Sequence, residues 1–306
     1  MHFSFETEKI DLPKGALAKT HRRTLRWRGK TIASFTQGLF RAYLYPLYTP
    51  AGYGVTSEAP ADHPHHNSIW VAADHLHCRI PLVGDLFEEA TYCFYVNETF
   101  QGRAPGRIIE EWAQGTEHIP GHFRVTQRLN WRGPSEWGAE HGRVVAIETR
   151  TTNFQPGEVA HVIDIRSQLE PTEWDLTIGP TRHAYFGVRV AESIRVIDGG
   201  RLVNAEGHNG GDVVTGAVSD WIDLSGPVTH HHWAGITVMP DPQMTYGPWF
   251  ATDWGTVAVN PFVTEGRVLP RGEKFELGLR LVVHDGDLDR SQVSVWYETF
   301  AKEGCR

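Results

Sequence analysis

Cysteine is scarce in this sequence. Cys78, Cys93 and Cys305 form an odd set with no CxxC spacing, so neither a disulfide framework nor a zinc knuckle is expected. Long apolar runs are absent too: the best, Ala234 to Met239 and Leu279 to Val283, fall far short of the ~20 residues that span a bilayer. Positive charge is not in excess. The 29 Lys and Arg residues against 37 Asp and Glu give a net charge of -8, which argues against a phosphate-backbone ligand. The N-terminal MHFSFETEKIDLPKG has neither the basic nor the apolar region of a secretory signal. These absences predict a soluble chain in a reducing cytoplasm, with no nucleic-acid or membrane partner and with a homodimer left open. GxGxxG, Walker, GxSxG and EF-hand motifs are missing as well, which removes phosphate cradling, the α/β-hydrolase triad and helix-loop calcium sites.

What is present is a globular composition, 40% hydrophobic and 11% aromatic over 306 residues, enough to bury a sizeable core. Apolar residues alternate with polar ones wherever a period can be read. Phe123, Val125, Leu129 and Trp131 oppose Arg124, Thr126, Arg128 and Asn130. Val145 and Ile147 oppose Glu148; Ile163, Ile165 and Leu169 oppose Asp164, Arg166 and Gln168; Trp174, Leu176 and Ile178 oppose Asp175 and Thr177. The longest case sets Phe275, Leu277, Leu279, Leu281 and Val283 against Glu276, Arg280 and His284. Turns such as Arg132-Gly133-Pro134, Gln155-Pro156-Gly157 and Pro270-Arg271-Gly272 separate these segments without intervening helices. The expectation is an all-β antiparallel sandwich with each strand half exposed. One helix is predicted at the C-terminus, capped by Asp287 or Asp289 and carrying Val293, Trp296, Tyr297 and Phe300 at helical spacing. No repeat or linker-like shift divides the chain, so one domain over 1–306 is expected.

Histidine is concentrated between Arg41 and Cys78, where His63, His65, His66, His75 and His77 fall within one stretch. Pro60 and Pro64 disfavour a helix there, which leaves a loop leading into a short strand at Ile69 to Ala72. Three readings stay open. Imidazole ligates zinc, copper and iron, so the five histidines are candidates for a divalent metal site, although no HExxH or Cys/His pairing completes one. One or two of His63, His65 and His66 can serve as general acid or base near neutrality. The third reading has them satisfy loop carbonyls or lie exposed.

Further polar groups follow. Arg182-His183-Ala184-Tyr185, after the turn Gly179-Pro180, sets a guanidinium, an imidazole and a phenol where a polyhydroxylated ligand can be oriented and protonated. Glu265, before the last long strand, is a carboxylate that can act as a base opposite a histidine acid. His230-His231-His232 reads as an exposed loop. Tyr43, Tyr45, Tyr48, Trp70, Trp249 and Trp254 flank the polar groups; sugar rings stack on such aromatics, and so do cores.

The segment Arg41 to Trp70, with its Tyr-Leu-Tyr-Pro-Leu-Tyr-Thr-Pro-Ala-Gly run and Asp62-His63-Pro64-His65-His66, resembles the bacterial PmoA-like family of unknown function, labelled "methane oxygenase PmoA". Trp221-Ile222-Asp223, Pro248-Trp249-Phe250, Asn260-Pro261-Phe262 and Leu281 to Gly286 continue the likeness, which runs from about residue 38 to the end. Asn67 stands where that family usually has Arg. The label implies a membrane monooxygenase subunit, which the lack of apolar spans contradicts. The pattern, with its late Pro-Arg-Gly-Glu turn, is also similar to the galactose mutarotase-like supersandwich, a fold that mostly handles carbohydrates. That similarity implies a histidine acid and a glutamate base across a sugar ring, with His183 and Glu265 in comparable chain order.

The function expected is a carbohydrate-processing enzyme acting on a sugar or keto sugar by epimerisation, elimination with hydration, or keto-glycoside cleavage. His63, His65, His66, His183 and Glu265 are its candidate catalytic groups. Arg41, Tyr48, Asn67, Trp70, Arg182, Tyr185 and Trp249 are its candidate substrate contacts. No cofactor is required by this reading. Its alternatives are a metal-dependent hydrolase or oxygenase at the histidine cluster, and a non-catalytic carbohydrate-binding protein.

Overall fold

A computed structural model describes residues 2–8, 21–136, 139–287 and 289–305. Two eight-stranded sheets and one smaller sheet account for most of the chain. The first sheet runs in the order Phe3–Glu8, His21–Trp27, Lys30–Gln37, Ala42–Leu47, Ile69–Ala73, Ala184–Arg189, Thr256–Val259, Phe250–Ala251. The second runs Arg201–Asn204, Ile222–Thr229, His232–Pro240, Phe275–Asp285, Ala160–Pro171, Val144–Gln155, His122–Arg132, Arg107–Ile119. In the small sheet, Arg267–Leu269, Leu176–Ile178, Leu76–Pro81 and Phe87–Cys93 pair antiparallel, and Ala104–Pro105 adds in parallel. The all-β, antiparallel sandwich expected from alternation is therefore observed. No helix among the described residues is long and apolar enough to cross a membrane.

The two large sheets bury their facing sides against each other. Val71, Phe186, Val188 and Val257 from the first meet Val125, Trp131, Ile165 and Leu279 from the second in one apolar cluster. Each such side chain contributes about 1.5–3 kcal/mol by leaving water. The C-terminal helix spans Arg290–Glu303; Asp289 accepts from the Gln292 amide in a capping box. Val293 and Phe300 pack with Trp221, Met239 and Val282 on the outer face of the second sheet.

That cover corrects the half-exposed reading of two strands. Asp164 and Arg280, assigned to a solvent face by alternation, are buried and paired, Nε to Oδ1 at 2.6 Å and Nη2 to Oδ2 at 2.9 Å. His284 is buried beside Asp223 in the same way. Glu148 departs further: it is fully buried between the sheets, accepting from the Trp131 indole at 3.0 Å, from Arg150 and from the Ser167 hydroxyl at 2.7 Å. The register shift between Trp131 and Arg132 lets Val145 and Ala146 both turn inward, and Glu148 then takes the face predicted for Ile147. A buried carboxylate is tolerated because each lone pair finds a donor.

Candidate active site

The first sheet has a second face, turned away from the core. Period-two alternation puts Tyr43, Trp70, Gly187, Arg189 and Thr256 there, while their neighbours Leu44, Val71, Val188 and Val257 enter the core. Tyr43, Trp70 and Ala72 form an apolar patch of their own with Tyr45 and Tyr95. Gly187 is required here: a Cβ on it would lie 2.1 Å from the Trp70 ring. The His63–His66 loop and the segment carrying Tyr95 fold over this patch.

Aromatic stacking orders the loop. His63 stacks on Trp254 with centroids 4.4 Å apart, His66 lies 4.8 Å from His63, and Trp70 lies 5.0 Å beyond His66, all near-parallel. His65 meets His66 and Tyr95 edge-on at 4.6 and 5.0 Å. Asp62 anchors the column, accepting from Arg189 Nη2 at 2.8 and 2.7 Å and facing His63 Nδ1 at 2.9 Å. Burial would raise the Asp62 carboxyl, but the hydrogen bonds from Arg189 and His63 outweigh it and hold the group well below the usual carboxylate range.

Arg41 is buried beneath the loop. Its Nη1 donates to the His65 carbonyl at 2.9 Å, and its Nη2 donates to the Tyr95 carbonyl and, at 3.2 Å, to Asn97 Oδ1. It is thus a clamp on two loops rather than a free substrate contact. Burial outweighs the opposing influence of Tyr95, Cys93 and Tyr43 and lowers its pKa to about 10. Burial first and the Arg41 charge second lower His65 to about 4, and burial with the adjacent histidines pushes His66 down further. Both rings are neutral at pH 7.

A neutral His66 fixes the direction of a hydrogen-bond chain. Arg189 Nη1 donates to Thr256 Oγ1 at 3.3 Å; that oxygen lies 3.2 Å from His66 Nδ1, and His66 Nε2 lies 2.7 Å from the Tyr95 hydroxyl. With Thr256 donating to Nδ1 and Nε2–H donating to Tyr95, the spare hydroxyl proton falls on partly exposed Tyr95; the opposite tautomer leaves it on Thr256, which is buried. The phenolic proton of Tyr95 is then free for a ligand, and burial raises its pKa, which keeps it in place.

His183 lies on the other side of Tyr95, its ring stacked at 4.9 Å. Its Nδ1 is 2.9 Å from Asp74 Oδ2, and Arg182 Nε donates to its Nε2 at 3.1 Å. The ring therefore carries its proton on Nδ1 and offers a lone pair at Nε2, which the exposed Arg182 covers. Asp74 is buried, and burial alone would raise its pKa; hydrogen bonds from His183 and Thr181, with the Arg103 charge, lower it instead. Trp70, Tyr95, Arg182 and His183 border a cleft of only about 10 Å³, room for one water-sized group such as a substrate hydroxyl. The body of a ligand would lie over the partly exposed edges of His63, His65, Tyr95 and Trp254.

The structure thus brings together His63, His65, His66, His183, Arg41, Arg182 and Trp70 from the sequence-predicted set. It places the others elsewhere. Glu265 is exposed in a turn; Asn260 Nδ2 ties that turn to the Thr181 carbonyl at 2.7 Å, but no hydrogen bond or ion pair of the Glu265 side chain is found among the described residues. The carboxylate facing His183 is Asp74. Tyr185 points into the core, with its hydroxyl 2.9 Å from Ser167 and its ring stacked on Trp131. Asn67 bridges its backbone to Glu58, and Trp249 donates to the Ser219 carbonyl at 2.8 Å in a separate cavity. Tyr48 lines another cavity altogether. His77 faces Thr91 within the small sheet, and His75 offers its carbonyl to Gly179.

For a metal the fit is poor. Among the described residues no group of three His, Cys, Asp or Glu is placed to hold an ion. Parallel stacked rings such as His63 and His66 hold their nitrogens in separate planes rather than aimed at one point. Residues that sequence reasoning missed are Asp74, Tyr95, Arg189 and Thr256. Asp74 had a signal, an ionisable residue closing the apolar strand Ile69–Ala73; Arg189 and Thr256 are recognisable only by the sheet face they share, and Tyr95 only by the fold that lays its bend over that face.

The site is therefore a histidine, tyrosine and carboxylate cluster on the outer face of a sheet in an all-β sandwich. The chain belongs to the family of unknown function DUF6807, whose model matches residues 22–297. The methane-oxygenase label rests on the sequence resemblance alone. No curated protein matches the chain. Among solved structures it is similar to the GH36 alpha-galactosidase of Geobacillus stearothermophilus, at 13% identity and TM-score 0.42 over 83% of this chain and 39% of that one. It is also similar to a galactose mutarotase-like protein from Lactobacillus casei, at 9% identity and TM-score 0.37 over 92% of this chain and 100% of that one. A galactose mutarotase related enzyme from Lactobacillus acidophilus matches at 8% identity and TM-score 0.32, over 92% and 97% of the two chains. The chain spans about two fifths of the galactosidase's length.

Proposed function

We propose that this protein processes a sugar or keto sugar by acid/base chemistry, with His183 as base and Tyr95 as the opposing acid. The observation that carries the reading is the Asp74–His183 pair stacked beside the Tyr95 hydroxyl, which His66 Nε2 meets at 2.7 Å. One group can accept a proton while the other donates one, within a cleft sized for a hydroxyl. That pairing suits epimerisation, elimination or keto-glycoside cleavage, each of which moves protons on neighbouring ring positions. Arg182 would move off His183 Nε2 as substrate arrives, and His65 and His63 would border the ring. His66 acts through Tyr95 as a positioning residue.

The reading is tested by separating binding from turnover. A panel of aldoses, glycosides and 3-keto-glycosides followed by proton NMR identifies a substrate; Tyr95→Phe and His183→Gln should then keep binding within a few fold and lose about 100-fold or more in kcat. Turnover unchanged in both variants would contradict it. Binding without turnover in the unaltered protein would favour the carbohydrate-binding alternative, which the Trp254 and His63 stack supports.

A further inference from the structure

A larger cavity lies away from this cluster. It occupies about 420 Å³ between the first sheet and the 157–161 turn of the second, and its lining includes Trp27, Lys30, Tyr48, Pro50 and His161. Cavities of about 300–1,000 Å³ suit small molecules, a range the 10 Å³ cleft beside His183 does not reach. His161, 4% exposed, stands in its wall. The Gly157 amide donates to Nδ1 at 3.3 Å, so a neutral ring must carry its proton on Nε2, which has no protein partner among the described residues. Burial, the largest influence, lowers this histidine to about 4 and keeps it neutral at pH 7.

Cations complete the wall. Lys30 is exposed and touches the protein through the Pro50 carbonyl at 3.3 Å. Arg28 lies over the Trp27 indole at 4.3 Å. Glu158, the one carboxylate among the lining residues, is already paired with Arg28 at 2.7 Å. An imidazole N–H without a protein acceptor, an ammonium at the mouth and aromatic walls describe a receptor for a negative, acceptor-bearing group on a flat body.

We propose that this cavity binds a small organic carboxylate, with the carboxylate between His161 Nε2–H and Lys30 Nζ and the body of the ligand against Trp27 and Tyr48. A sugar acid and an aromatic acid share that chemistry. The site is independent of the His183 chemistry and is tested without any turnover assay. Nitrogen-15-labelled protein is titrated with D-glucuronate and with benzoate, using D-glucose and benzyl alcohol as the neutral counterparts. Saturable shifts at the His161 ring are expected with at least one acid and with neither neutral compound, and the responding acid distinguishes the two sources. Lys30→Glu, at an exposed position, should weaken binding about tenfold or more. His161→Phe should do the same, and His161→Gln, which keeps an N–H donor, should restore part of the loss. No saturable shift with either acid, equal binding of acid and neutral counterpart, or unchanged affinity in Lys30→Glu each overturns the proposal. Should His161→Phe fail to fold, Lys30→Glu alone decides.

Discussion

Replacing Asp74 by Asn removes one charge at nearly constant shape beside His183. In the native site the carboxylate accepts from His183 Nδ1–H at 2.9 Å, from the Thr181 hydroxyl and from Arg103 at 3.3 Å. Thr181 faces Oδ1, whereas His183 and Arg103 share Oδ2, so an amide oxygen in the Oδ2 place still accepts from both while its NH₂ faces the Thr181 hydroxyl, which turns to accept. His183 keeps its proton on Nδ1, since a proton on Nε2 would meet the Arg182 Nε–H at 3.1 Å, donor against donor. The stability cost is limited to weakened charge-assisted bonds, about 1–3 kcal/mol. Asp74→Ala, by contrast, leaves Arg103 and His183 without their buried acceptor and should cost about 3–5 kcal/mol. The chemical consequence of Asn is larger: the imidazolium formed when His183 takes a proton loses its carboxylate partner, and kcat should fall about 100- to 10,000-fold. The tautomer itself can be read without a known substrate, because nitrogen-15 shifts of the His183 ring report which nitrogen is protonated. Protonation at Nδ1 is expected in the wild type and in Asp74→Asn. Protonation at Nε2 in either protein would refute the reasoning.

Other outcomes follow from the same geometry. Gly187→Ala places a methyl within 2.1 Å of the Trp70 ring and should destabilise by about 1–3 kcal/mol, measured by urea unfolding, while displacing the His66 stack. His66 and His161 are buried with lowered pKa values, so the unfolded chain binds protons that the native one refuses; their stability contribution is complete above pH 6.5 and is lost as pH falls from there toward about 4. Unfolding curves between pH 7 and pH 4 should show that loss, and His161→Gln should reduce it. Arg189→Met removes the donor to Thr256 and the partner of Asp62, so it should loosen the His63 loop and lower kcat more than it raises KM. Chelation should leave the melting temperature unchanged, since stacked imidazoles do not form a three-ligand site.

How far the sequence spoke depended on whether the physics was local. Alternation over Phe123–Trp131 and Phe275–Val283 is a local property, and both segments are strands with the predicted faces buried. The helix cap at Asp289 and the exposed His230–His232 turn are local as well. Glu148, Asp164 and His284 were misplaced because a register shift and a covering helix are tertiary facts that no period of two can encode. At the candidate site, histidine density and Arg182-His183 mark residues that the fold brings together. Chain order suggests Glu265 and is silent on Asp74, because it cannot tell which carboxylate the fold brings to His183. Tyr95 carries no motif; it matters because the bend that holds it and the His66 loop close over the same patch.

The most direct test of the account is reaction in D₂O, followed by proton NMR on the sugar panel, with the wild type and His183→Ala side by side. Loss of a ring C–H signal or appearance of an epimer, elimination or cleavage product with the wild type, slowed at least about 100-fold in the variant, is the predicted result. Equal rates in the two proteins would contradict it.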